Sequence, residues 1–202
     1  SLGPKFTQNQ IESVLVAEGY DYEIINKLEN KLASLLNNNR IIGFFQGAME
    51  FGPRALCNRS ILYHCRDKSA NDWLNKRLNR TEFMPFAPVT IEELASKCFV
   101  GWSPEDVAAD FMTITYKVTE QFKKLCPAAV HIDDTARPQI IRKKNNPQMH
   151  NIIKYFYKKR GDLALINTSF NNHEEPIVCN IQDALDSLNK GNVDLLIIGK
   201  CL

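Results

Sequence analysis

Apolar positions recur along this chain with two periods, and the alternation between them sets the expected order of elements. A loop at Ser1–Pro4 leads to Ile11, Val14 and Leu15, a short helix capped by Thr7 or Asn9. Ile24, Ile25, Leu28, Leu32, Leu35 and Leu36 then predict a longer helix from Tyr22 to Asn37. The unbroken run Ile41–Phe45 reads as a buried strand, and Ile61–Tyr63 as a second, shorter one. Ser69 is placed to cap a helix over Ser69–Leu78 that carries Lys76 and Arg77 in its last turn. Asn79–Pro88, with two prolines and two phenylalanines, predicts an irregular, buried connection.

Strict alternation of Met112, Ile114, Tyr116 and Val118 with polar neighbours predicts a half-buried strand over Phe111–Val118. Two further strands, Ala128–Ile132 and Gln139–Arg142, should flank Asp133–Pro138. Met149, Ile152, Ile153 and Phe156 define a helix over Pro147–Lys159 that Gly161 ends, followed by a strand at Leu163–Ile166. Asn180 with Asp183 has the spacing of a capping box for a helix over Ile181–Lys190, stopped by Gly191. Val193–Ile198 is the last predicted strand. Helices and strands in this order define an α/β fold with a mixed sheet, and no repeat or linker divides residues 1–202.

Composition narrows the function classes. The apolar and charged fractions, 44% and 24%, belong to a globular domain, and the net charge of +2 calls for neither nucleic acid nor an anionic membrane. No apolar run is long enough to cross a bilayer. The six cysteines lack a CxxC pair, which suits reduced thiols and leads us to expect a cytoplasmic protein. The chain starts at Ser1 without an initiator methionine, and a fragment of something larger is expected.

Four polar clusters leave predicted elements: Glu50/Arg54/Arg59/Ser60, Lys76/Arg77/Arg80, Asp133/Asp134/Arg137 and Asn167/Thr168/Ser169/Asn171. The ends of strands are where open α/β sheets build ligand sites. Converged, these groups would suit phosphate or carboxylate binding, with catalysis by positioning and charge stabilisation. The alternative for the first cluster, Gly47–Ser60, is an ordinary tight turn whose arginines face water. Neither GxGxxG nor GxxxxGK[ST] occurs, and the histidines at 64, 131, 150 and 173 have no metal-binding spacing. His131 is expected to be packed on its strand, and the other three to lie at the surface or in loops. Cys57 is expected to be a small buried thiol, not a nucleophile. Asp133 and Asp134 should cap a turn or pair with nearby arginines, and Lys143-Lys144 and Lys158-Lys159-Arg160 should be solvated.

Five motifs in order carry a resemblance: Gln46-Gly-Ala-Met-Glu-Phe-Gly-Pro-Arg-Ala-Leu-Cys-Asn-Arg-Ser60, Pro85-Phe-Ala-Pro88, His131-Ile-Asp-Asp-Thr-Ala-Arg137, Asn167-Thr-Ser-Phe-Asn171 and Glu175-Pro-Ile-Val178. Over essentially its whole length the chain resembles the C-terminal domain of the O-carbamoyltransferases, which include nodulation-factor and antibiotic-tailoring enzymes. The resemblance implies a YrdC-like α/β fold that uses carbamoyl phosphate and ATP, with Mg2+, to make a bound carbamoyl adenylate. A separate Kae1-like N-terminal domain with a metal centre, expected to be absent from this chain, would then carbamoylate a hydroxyl.

By the same resemblance Arg54 and Arg137 would grip phosphate, and Asn167 and Ser169 would hydrogen-bond the carbamoyl and phosphate groups. Arg59, Lys76, Arg77, Arg80, Thr168 and Asn171 would assist in binding substrate. Two residues depart from the family pattern: Met84 stands where many members have Arg, and Cys57 where Gly is usual. Two other readings compete with this one, a YrdC-like RNA-binding module and a catalytically silent docking domain.

Overall fold

The computed structural model describes residues 2–80 and 85–202. In chain order, α1 (Gln8–Ala17) and α2 (Leu28–Asn37) precede β1 (Ile42–Phe45) and β2 (Arg59–His64). Then come α3 (Ala70–Arg77), β3 (Ala87–Ile91), α4 (Glu92–Cys98), a 3₁₀ turn at Val107–Phe111 and β4 (Tyr116–Lys117). α5 (Glu120–Leu125), a second 3₁₀ turn at Pro127–Ala129, β5 (Thr135–Ala136) and β6 (Gln139–Ile141) follow. The order closes with α6 (Pro147–Arg160), β7 (Leu165–Ser169), α7 (Ile181–Asn189) and β8 (Leu195–Ile198).

Six strands form one mixed sheet in the order β6-β3-β7-β2-β1-β8, while β4 and β5 pair separately. β1 runs parallel to β8 and antiparallel to β2; β7 runs antiparallel to both β2 and β3, and β3 runs parallel to β6. One edge of the sheet is therefore where β1, β7 and β8 end and where β2, β3 and β6 begin. The connections that enter and leave those ends meet there.

The two-residue period of the strands sends side chains to two cores. Ile42, Phe44, Leu62, Leu165 and Ile197 pack with Leu32 and Leu36 of α2 and Met149, Ile153 and Phe156 of α6. Phe45, Ile61, Tyr63, Ile166 and Ile198 face the other way, toward Ile11 and Leu15 of α1, Leu74 of α3 and Leu185 of α7. Gly43 sits inside β1 because a Cβ there would lie 2.6 Å from Cζ of Phe170.

The caps written in the sequence are realised at three helices. Thr7 closes a capping box on α1 with Gln10, Asn180 closes one on α7 with Asp183, and Gly161 ends α6 at φ 74°. Ser69 does not cap α3; its N–H and hydroxyl both donate to Asp67, whose other oxygen accepts from the indole of Trp73.

Several expectations are corrected. The helix expected from Tyr22 begins only at Leu28, because Glu23 and Ile25 pair in extended form with Leu202 and Lys200. Over the strand expected at Phe111–Val118 the chain leaves a 3₁₀ turn at Phe111, passes a left-handed Met112 at φ 58°, and pairs only from Tyr116 on, Tyr116–Lys117 with β5 and Val118 in a single bridge to Phe99. Ile114 is exposed, so the alternation there does not mark a buried face. Ala128–Ile132 is a 3₁₀ turn and irregular chain that enters a turn at Ile132, not a strand, and His131 on it is only half-buried, bonding Thr135. His64 and His150, expected at the surface or in loops, are buried in β2 and α6. β3, α4 and α5 were not expected from the hydrophobic pattern. Residues 81–84 of the irregular connection at Asn79–Pro88, Met84 among them, lie outside the described residues.

Candidate anion-binding site

A cleft of about 210 Å³ opens at the sheet edge where β7 ends and β3 begins, lined by Pro53, Arg54, Ala55, Arg80, Pro85, Phe86, Ala87, Met112, Arg137, Asn167, Thr168 and Ser169. Three of the four sequence clusters contribute a guanidinium, and the fourth supplies an amide and two hydroxyls. No carboxylate lines the cleft among the described residues.

Each group is held from its own element. Asn167, Thr168 and Ser169 close β7, paired across to β2 and, at Asn167, to Ala87 of β3. Arg80 leaves the turn after α3 and is bound along that strand end: Nη1 donates to Thr168 Oγ1 at 2.7 Å, and Nη2 reaches Ser169 Oγ at 3.2 Å and Asn171 Oδ1 at 3.3 Å. Ser169 Oγ donates to Asn171 Oδ1 at 2.6 Å, so Asn171 supports the site without lining it. Arg137 enters from the short β5 strand, which pairs with β4.

Arg54 rides on a loop folded around one buried carboxylate. Glu50 Oε1 accepts the N–H groups of Leu56 and Asn58, each at 2.6 Å, and of Arg59 at 3.2 Å. Gly47, Gly52 and Cys57 turn the loop with positive φ of 52°, 122° and 74°. Arg59 is fully buried beneath it: its guanidinium stacks 3.5 Å from the Phe45 ring and donates to the carbonyls of Gln46, Asn58 and Pro4 at 2.8, 2.9 and 3.1 Å. Burial lowers the Arg59 pKa to about 10, which leaves it a cation at neutral pH. Arg59 thus builds the loop instead of facing the cleft.

Lys76 and Arg77 also stand apart from the cleft. Lys76 is exposed on α3, and Arg77 donates to Gly191 O and Asp194 Oδ1, each at 2.7 Å. Asp194 Oδ2 accepts from the Ile41 N–H, which places Arg77 at the head of β1 and β8, the opposite end of the sheet. Asp133 caps its turn by accepting from Thr135, and Asp134 pairs with Lys123 at 2.9 Å; neither lines the cleft.

Electrostatically the cleft is poised for an anion. Burial lowers the pKa of Arg80, and burial together with the neighbouring Arg54 lowers that of Arg137. Neither Arg54 nor Arg137 has a carboxylate in ion-pair reach among the described residues. Two like charges without a counter-ion repel one another, and a phosphate placed between them removes that cost while offering oxygens to both forks. Cys57 is buried and burial raises its pKa, so the thiol stays protonated and is a poor nucleophile.

Sequence reasoning missed one polar residue at the floor. Gln139, the first residue of β6, is buried, and its Oε1 accepts from Asn167 Nδ2 at 2.7 Å and from Cys57 Sγ at 3.3 Å. A glutamine two residues past Arg137, at the head of an apolar strand, was the available signal. Beyond Pro85 the cleft adjoins a wider cavity of about 770 Å³, lined among others by Lys68, Asn71, Lys123, His131 and Ile132.

The fold is that of a YrdC-like α/β domain, carrying a guanidinium, amide and hydroxyl cleft at one sheet edge. Its structural likeness is to HypF. A full-length HypF in a phosphate- and nucleotide-bound form superposes with a TM-score of 0.62 at 21% identity, covering 86% of this chain and 25% of that one. HypF of T. kodakarensis gives 0.58 at 18% identity, covering 90% and 23%. The chain belongs to the carbamoyltransferase family: the family model for the carbamoyltransferase C-terminus matches residues 33–202.

Relatives include an uncharacterized protein of Methanocaldococcus jannaschii, 34% identical over 100% of this chain and 43% of its own length. Nodulation protein NolO of Bradyrhizobium diazoefficiens is 36% identical, over 90% of this chain and 33% of its own. The 3'-hydroxymethylcephem-O-carbamoyltransferase of Amycolatopsis lactamdurans is 32% identical, over 84% and 32%. The chain therefore spans less than half the length of each of these relatives. Among the described residues no helix is long and apolar enough to cross a membrane.

Proposed function

We propose that this domain activates a carbamoyl group: carbamoyl phosphate, ATP and water become bound carbamoyl adenylate, pyrophosphate and phosphate. The observation that carries the reading is the convergence of Arg54, Arg80 and Arg137 with Asn167 and Ser169 in a cleft without a lining carboxylate among the described residues. A cleft of about 210 Å³ suits the small carbamoyl phosphate, and the adjoining cavity of about 770 Å³ has room for a nucleoside. Arg54 and Arg137 would hold phosphate oxygens. Asn167 and Ser169 would orient the carbamoyl group, with Thr168, Asn171 and Arg80 fixing the strand end beneath it.

Catalysis on this reading is positioning of the two reactants plus neutralisation of phosphoryl charge, with no covalent enzyme intermediate. The described lining of the cleft offers no carboxylate for a bare Mg2+, the adjoining cavity carries Asp72 and Asp134, and no group of three or more metal ligands occurs among the described residues; the ion would arrive on the ATP phosphates. We further propose that transfer to a hydroxyl acceptor belongs to a companion Kae1-like region, with its own metal centre, in the additional length of the relatives.

The test is exchange of labelled pyrophosphate into ATP. Exchange should depend on carbamoyl phosphate and fall at least tenfold in Arg137→Ala. A folded, ATP-binding protein that shows no exchange would exclude the reading.

A further inference from the structure

The floor of the cleft contains a buried amide pair whose orientation is decided by its surroundings. Asn167 is buried on β7, and its Nδ2 is committed on the inner side, donating to Ala55 O at 3.0 Å and Gln139 Oε1 at 2.7 Å and lying 3.4 Å from Cys57 Sγ. A backbone carbonyl can only accept, so Ala55 O favours the amino group of Asn167 on its side. Gln139 Oε1 is a second acceptor on the same side, and it also takes the Cys57 thiol hydrogen at 3.3 Å. The three contacts leave Oδ1 of Asn167 turned the other way. It is closed to solvent and has no hydrogen-bond donor among the described residues, although Asn167 lines the cleft.

A buried acceptor left without a donor is destabilising, and a ligand with a correctly placed N–H removes that cost. Among acyl phosphates of nearly equal shape, a carbamoyl group ends in NH₂, an acetyl group in CH₃ and a carboxyl group in an oxygen. Only the first can donate. The neighbouring guanidiniums bind the phosphate common to all three and cannot tell them apart.

We propose that Gln139 is a positioning residue for substrate selection: by holding Asn167 Nδ2 inward it presents Oδ1 as an acceptor, and the cleft thereby selects a carbamoyl over an acetyl donor. Cys57 supports the arrangement by giving Gln139 Oε1 its second hydrogen bond. Without Gln139 the Asn167 amino group keeps only Ala55 O and the weaker sulfur acceptor of Cys57 on the inner side, and the amide rotates more freely. A rotated amide offers NH₂ to the ligand and penalises the carbamoyl group. This inference rests on the proposed carbamoyl-phosphate site, and its experiment separates the two.

The experiment is calorimetric titration of the protein with carbamoyl phosphate and with acetyl phosphate, for the unaltered chain and Gln139→Leu, with folding checked by circular dichroism. Gln139→Met, an unbranched replacement that also lacks the acceptor, stands in if the leucine variant does not fold. The expected result is that the ratio of the two affinities favours carbamoyl phosphate in the unaltered protein and falls about tenfold in the variant, since a site built around a hydrogen bond rejects the analogue that cannot form it. Phosphate affinity itself, read with inorganic phosphate, should change less than twofold. An unchanged ratio in a folded variant overturns the role of Gln139. Failure of the unaltered protein to bind carbamoyl phosphate at all overturns the functional reading beneath it.

Discussion

Cys57 holds a left-handed backbone, φ 74°, that an L side chain adopts at a cost of about 1–2 kcal/mol. The cost is offset by burial of the thiol and by its contacts with Gln139 and Asn167. Replacing it with glycine removes the strain and the contacts together, and the two should cancel to within about 1 kcal/mol. Urea denaturation of Cys57→Gly checks this; a loss above about 2 kcal/mol would show that the sulfur contacts dominate. The departure from the family's usual glycine was legible in the sequence, and the left-handed turn explains why glycine is usual there. The roles of Arg59 and Arg77 were not legible. Arg59 follows a glycine-bearing loop and Arg77 ends α3, and only the tertiary structure shows that one is buried under the loop and the other bound to Asp194.

At the scale of elements, β2 carries the clearest pH dependence. His64 is buried; its Nε2–H donates to Asn39 Oδ1 at 2.7 Å and its Nδ1 accepts the Arg66 N–H at 3.3 Å, so the neutral ring is satisfied at both nitrogens. A proton on Nδ1 would point at that N–H. Burial, with Arg160 and Arg66 nearby, lowers the His64 pKa to about 4. The unfolded chain, with an ordinary histidine near 6.5, takes up the proton first as pH falls. Stability from this group is therefore complete above about pH 6.5 and is lost down to about pH 4, a term of roughly 3 kcal/mol. Denaturation at pH 7 and pH 4.5 should show a smaller acid loss in His64→Gln than in the unaltered protein; equal losses would contradict it. Elements announced by caps and period were legible, as with α1, α6 and α7. The strand read over Phe111–Val118 was not, because Ile114, one of the alternating apolar residues, is exposed and Met112 is buried from a left-handed turn, so the two-residue period there does not come from extended backbone. β3 was hidden by Pro88, which stands before the first β3–β6 pair at Val89, where one flank of the strand is open.

For the whole molecule, the sheet order is what turns four scattered clusters into a cleft. β7 lies between β2 and β3 and runs against both, so the Asn167–Ser169 end meets the loop entering β2, the turn entering β3 and the segment entering β6. Local sequence carries each cluster but not the pairing that brings them together, and that is why convergence became visible only in three dimensions. On the proposed function, the arginines gathered there hold the phosphate of a carbamoyl donor. Calorimetric titration with carbamoyl phosphate of the unaltered protein, Arg54→Gln and Arg137→Gln tests it most directly. Saturable binding is expected in the unaltered protein, weakening about tenfold or more in each variant, equivalent to about 1.4 kcal/mol. Equal affinity in all three folded proteins would contradict it.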